Sequence, residues 1–205
     1  MIIMLARQHV YLALVPVAVG LLVALPLGYL AARWRRFYPP LLAVSGILYS
    51  IPSLAMFVAL PGLLGTKILD PLNIVVALSI YTVALLARTV VDGLASVPEH
   101  VLQAATAMGF GRIRRLIKVE LPIAVPVVVA GLRVAAVANI SLVSVGAVIG
   151  VGGLGQLFTS GFQLDFLTPI YVGVGLLVLL ALVVDTLLVL GQRLLTPWVR
   201  AGRAR

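Results

Sequence analysis

The chain has 205 residues, of which 62% are hydrophobic and only 10% charged, with a mean hydropathy of +1.21. A soluble domain is about 45–50% apolar and about 25% charged, so a soluble enzyme, a disordered chain and a nucleic-acid-binding domain are poor fits, and a protein that crosses the membrane several times is the natural reading. The net charge of +9, from 15 basic against 6 acidic residues, reads as topology because Lys and Arg collect in cytoplasmic loops, and the lack of cysteine removes disulfides and thiolate metal sites.

A span needs about 20 apolar residues. The first, 11–32, is too long and too interrupted by Pro and Gly for a signal-peptide core, so it is taken as retained. Arg33, Arg35 and Arg36 close it, with Trp34, Phe37 and Tyr38 as interfacial anchors. The second, 41–60, contains Pro52, whose freed carbonyls need partners. Ser50 and Ser53 are the candidates, in a helix that either lines a pathway or is simply kinked. Residues 61–73 form a short polar loop, and 74–87 is the third span. The stretch 88–120 is mixed and charged, and is the only one of its size that reads as soluble. Residues 121–151 form one long, tilted span, since two would need about 40 residues. A Gly-rich segment and a mixed stretch precede the last span, 170–190.

Five spans with the N-terminus outside put Arg33, Arg35, Arg36, Arg88, Arg112, Arg114, Arg115, Lys118, Arg193, Arg200, Arg203 and Arg205 on the cytoplasmic side. Only Arg7 and Lys67 remain outside, and Arg133 falls within a span. That asymmetry predicts an outer N-terminus and a cytoplasmic C-terminus.

Arg133 is a candidate pathway residue, because a charge inside the membrane is costly. It could also snorkel, or pair with Asp185 of the last span, either of which would make it structural. Asn139, Ser141 and Ser144 offer a polar pathway wall or interhelical hydrogen bonds. Gly150, Gly152 and Gly155 fit G-x-G-x-x-G, but a dinucleotide site needs a preceding strand and an acidic residue about 20 positions on. Here a span precedes, so Gly152, Gly153 and Gly155 are read as a break at the outer end of that span, either a gating hinge or a turn. There is no G-x-x-x-x-G-K-[ST] run, no Ser/His/Asp arrangement and no paired carboxylates. The chain is therefore expected to be no enzyme and to bind no cofactor or metal, and the energy for any transport must come from another polypeptide.

Within 88–120, Ser96-x-x-Glu99 has the capping-box spacing, with Pro98 in the first turn. Residues 100–108 then form a short helix. Gly109 and Gly111, bracketing Phe110, stop it, and 112–119 is a second, basic helical stretch leading through Glu120, Leu121 and Pro122 into the membrane. Ala104 and Ala105 would let a partner surface approach closely.

The run Gln103-Ala104-Ala105-x3-Gly109-x9-Val119-x-Leu121-Pro122 resembles the EAA loop of ABC-importer permeases, E-A-A-x3-G-x9-I-x-L-P, with Gln in place of Glu and Val in place of Ile. The Gln removes a charge, so a salt bridge made by that Glu does not carry over. Ile51-Pro52-Ser53-Leu54-Ala55, Ala130-Gly131-Leu132-Arg133, the run from Gly150 to Gly155 and the Asp185-bearing last span are similar to the osmoprotectant branch, which includes glycine betaine, carnitine, choline and proline permeases.

The resemblance implies an all-α type I permease, a single transmembrane domain over 1–205, in the cytoplasmic membrane of a prokaryote. It implies a second permease subunit (itself or a paralogue), ABC ATPase subunits docked on the loop, an extracytoplasmic solute-binding protein, surrounding lipid and no nucleic acid. The aromatic cage for a quaternary ammonium is expected in the binding protein. The alternatives are a methionine-like solute, or a self-sufficient secondary transporter. The latter class often shows inverted repeats; none is found here, and the loop would go unexplained.

Overall fold

In lipid a single segment can satisfy its backbone only as a helix, and every regular element among the described residues is one. The computed structural model describes residues 1–198, and among these no strand occurs. The helices are α1 (Ile2–Arg33), α2 (Tyr38–Ser50), α3 (Ser53–Leu64), α4 (Pro71–Ala95), α5 (Glu99–Ala107), α6 (Arg112–Arg115), α7 (Leu121–Val145), α8 (Gln156–Gln163) and α9 (Leu167–Leu195). Arg200, Arg203 and Arg205, assigned above to a cytoplasmic tail, lie outside the described residues.

Among the described residues four stretches are long and apolar enough to cross a membrane: α1, α4, the run containing α7, and α9. The fifth expected span, 41–60, is not a continuous helix. It is the pair α2–α3, bent by 100° at Ile51–Pro52. Proline has no N–H to continue the ladder, and Pro52 instead becomes the N-cap of α3. Helix α3 also runs through Pro61 to Leu64, into the expected loop 61–73. Similarly, α4 begins at Pro71 because the Asp70 carboxylate accepts the Leu72 N–H at 2.9 Å. It continues past Arg88 to Ala95, so the connecting loop is shorter than 88–120.

Small residues set the packing. Gly20 and Gly28 of α1 lie against Thr82 and Val90 of α4, and a Cβ on either glycine would collide with them. The eight-residue spacing is the same on both helices, so α1 and α4 run parallel, with backbones in the close approach that small residues permit. Gly93 lies against Ala124, Gly131 against Thr89, and Asn139 against Thr82, so α7 is antiparallel to α4. The bent pair α2–α3 carries the chain back between the two parallel helices.

Three apolar clusters follow one another along the bundle: Leu12, Phe57, Ile74, Leu78 and Val143; then Ala24, Leu86, Ala87 and Ala135; then Val90, Leu94 and Ala124. Helix α9 is mostly exposed, presenting Tyr171, Leu179, Leu182 and Leu187 outward.

The bundle has two chemically different ends. One holds the start of α1, the start of α4 and the turn after α7. At the other, Tyr29, Arg33, Val91, Leu102 and Arg115 line one cavity of about 410 Å³, so the end of α1, the end of α4 and the α5–α6 loop converge there.

Candidate functional site

At the basic end, the chain leaves α4 at Ser96. The Ser96 hydroxyl donates to the Gly93 carbonyl at 2.7 Å, so it closes α4 and does not open α5. The expected capping box is therefore absent: Pro98 is the N-cap of α5, and Glu99 is exposed in its first turn. The two alanines also separate. Ala105 is buried against its own chain, and only Ala104, with Gln103, faces out.

Gly109 ends the helix at φ +78°, a left-handed conformation that glycine adopts without strain. The N–H groups of Gly109 and Phe110 then close on the carbonyls of Thr106 and Ala105. Gly111 has ordinary φ and caps α6. The Arg114 guanidinium lies 4.6 Å from the Phe110 ring centroid.

Residues Leu116–Glu120 form a π-turn, closed by the Leu121 N–H on the Leu116 carbonyl. Pro122 lacks the N–H that would bond the Lys118 carbonyl, and the ladder re-registers one residue wider. The wider turn brings Arg115 and Glu120 together at 2.7 Å, while Arg115 also donates to Thr106 Oγ1 at 3.1 Å. Helix α5 is thereby tied to the root of α7, where Val119, Leu121 and Pro122 are half-buried. Met108, Ile113 and Ile117 stay exposed among the basic side chains of the loop.

Within the bundle, Arg133 and Asp185 form a two-pronged pair, Nε to Oδ1 at 2.6 Å and Nη2 to Oδ2 at 2.8 Å. Of the readings open to Arg133, pairing is the one observed. Asn139 is buried; its Nδ2 donates to Thr82 Oγ1 at 3.0 Å and to the Ala13 carbonyl at 3.4 Å, joining α7 to α4 and α1. It is an interhelical clamp, whereas Ser141 is exposed. Ser50 does not serve the carbonyl that Pro52 frees. It donates to Gly46 at 2.8 Å, while Leu48 accepts the Ile51 N–H at 3.4 Å. At the bend the Ile51 carbonyl accepts the Tyr81 hydroxyl at 2.7 Å, a partner the sequence reading missed. Ser53 opens α3 beside it.

At the opposite end, Gly152, Gly153 and Gly155 are buried and pack on Ala147, on the backbone of His9 and on Ser144. This is a turn seated in the core. His9, also missed, is fully buried beneath it. Its Nδ1 accepts the Leu154 N–H at 3.2 Å, which assigns the ring proton to Nε2, and Nε2 donates to the Ile140 carbonyl at 2.9 Å. The only signal in the sequence was a lone imidazole at the head of an apolar run. Among the described residues, no group of His, Asp or Glu could hold a metal ion.

Residues 24–201 match the family model described as binding-protein-dependent transport system inner membrane component. The chain is 35% identical to the osmoprotectant import permease protein OsmW of Salmonella typhimurium, over 93% of this chain and 89% of that protein. It is 31% identical to the choline transport system permease protein OpuBB of Bacillus subtilis, over 93% of this chain and 86% of that one. In fold it is similar to a chain of the MetNI methionine ABC transporter in inward-facing conformations, with a TM-score of 0.81, 24% identity, and 93% and 94% of the two chains covered.

Proposed function

The chain belongs to the family of binding-protein-dependent transport system inner membrane components, and on that premise we propose that it is the permease subunit of an ATP-driven importer for osmoprotectants such as glycine betaine, choline or carnitine. The observation that carries the substrate class is its 35% identity, over nearly the whole chain, to a permease named for osmoprotectant import. The likeness to a methionine transporter, at 24% identity, speaks to the fold alone.

Two permease subunits would line the pathway, an extracytoplasmic protein would deliver solute, and ATPase subunits would dock on α5 and α6. Three features of that loop support docking. Helix α5 is short and stopped at Gly109, the Arg115–Glu120–Thr106 tie fixes it to the root of α7, and Met108, Ile113 and Ile117 offer apolar surface. A push on α5 therefore reaches α7 through a salt bridge and a π-turn. The N-terminus is assigned outside and the basic end to the cytoplasm, as the distribution of Lys and Arg favours. The chain itself hydrolyses nothing; the partner ATPase supplies the energy.

The test is purification of the tagged chain from its native host in mild detergent, followed by a binding screen of whatever solute-binding protein accompanies it. An ATPase together with a binding protein selective for betaine, choline or carnitine is the expected result. A methionine-selective binding protein would replace the substrate class. Recovery of this chain alone, with no ATPase after crosslinking through α5, would overturn the importer reading.

A further inference from the structure

Midway along the bundle the break between α2 and α3 leaves a small cavity of about 150 Å³, lined by Tyr49, Ile51, Ser53, Tyr81 and Leu142. Helix α2 runs 13 residues from the basic end before it breaks, a rise of about 20 Å, and Tyr81 is near the middle of α4. Neither acidic nor basic side chains line the cavity. The Tyr49 and Tyr81 rings do, with centroids 5.9 Å apart and planes 82° apart, so they form two walls of a corner. Tyr81 is fixed there by its hydroxyl bond to the Ile51 carbonyl, while Tyr49 remains half exposed.

Helix α2 also ends beside the cavity, and its terminal carbonyls carry the negative end of the helix dipole. The Leu48 carbonyl, which a helical N–H at Pro52 would have met, takes only a long 3.4 Å bond from the Ile51 N–H, and the Ile51 carbonyl takes the Tyr81 hydroxyl. Ring faces and a helix C-terminus both attract positive charge, and neither charges a toll for desolvating a carboxylate.

We propose that the Tyr49–Tyr81 corner is a binding subsite of the permease for the quaternary ammonium head of its solute. The inference rests on the osmoprotectant reading above and adds to it a contact within the membrane. An ammonium carrying methyl groups sheds water readily and sits well on aromatic faces. The absence of a counter-charge keeps the hold weak, as a group that must leave again requires. The cavity suits the compact head group and not a whole extended solute.

The experiment is uptake of radiolabelled choline by the complete transporter, with its ATPase and binding protein, in cells lacking other choline importers. Choline is saturating, so the binding protein is fully loaded, and rates are expressed per inserted transporter. The variants are Tyr49→Trp, Tyr49→Phe and Tyr49→Leu, all apolar at a half-exposed position. The maximal rate is expected to fall in that order, with Tyr49→Leu about fivefold below wild type, the loss of roughly one exposed cation–π contact. Equal rates for Tyr49→Leu and Tyr49→Phe, or an equal fall in all three, would overturn the subsite and leave the substrate class standing. A wild-type transporter that takes up none of choline, glycine betaine and carnitine would overturn the substrate class, and the subsite with it.

Discussion

Arg133 and Asp185 meet through both carboxylate oxygens and two guanidinium nitrogens, a geometry that fixes orientation as well as charge. Because α9 is otherwise held mostly by apolar contact, this pair sets its rotation against α7. Arg133→Asp or Asp185→Arg alone is expected to lower the amount of inserted protein and its melting temperature in detergent, and the double exchange to recover much of both. A double variant no better than either single one would remove the pair from that role. The pairing could be read from the sequence because two rare opposite charges lie at similar depths in neighbouring spans. The partner of Asn139 could not. Its meeting with Thr82 depends on how closely α7 and α4 approach, which Gly93 and Gly131 determine only once the helices are packed.

At the level of elements, the membrane-crossing helices were readable from apolar length, and the helix stop at Gly109 from its neighbours. The left-handed Gly109 has open space where a Cβ would sit, so a substitution there strains the backbone without causing a collision. Gly109→Val costs about 1–2 kcal/mol of local strain. The protein is expected to remain in the membrane while solute uptake driven by ATP falls severalfold, measured as uptake against ATP hydrolysed by the whole transporter. Normal coupling in that variant would take α5 out of the transmission path. The 100° bend was only half readable: Pro52 predicts an interruption, but the angle follows from where α3 buries Phe57 and Leu60. The π-turn was hidden because it is a response of the ladder to Pro122, and the failed capping box because Ser96 found the Gly93 carbonyl of the preceding helix before it could serve the next.

For the molecule as a whole, the uneven division of basic residues between the two ends was the most readable property, since it is a matter of counting charges between spans. A chain without cysteine makes it directly testable. Lys67→Cys is expected to react with an impermeant thiol reagent added outside intact cells, and Arg112→Cys only after the cytoplasm is opened. The reverse pattern would invert the assignment. What counting could not supply is the closure of the bundle at its nearly neutral end, where His9 holds Ile140 and Leu154, 131 and 145 positions further along the chain. That closure also fixes an order of events during synthesis. At about 5–20 residues per second, His9 emerges from the ribosome on the order of 10 s before its acceptor and donor exist. Helix α1 must therefore wait in the bilayer or at the insertion machinery with its imidazole unsatisfied. That end of the bundle thus cannot set before Leu154 has been made, and a chain stalled short of it carries a polar ring without its full set of partners.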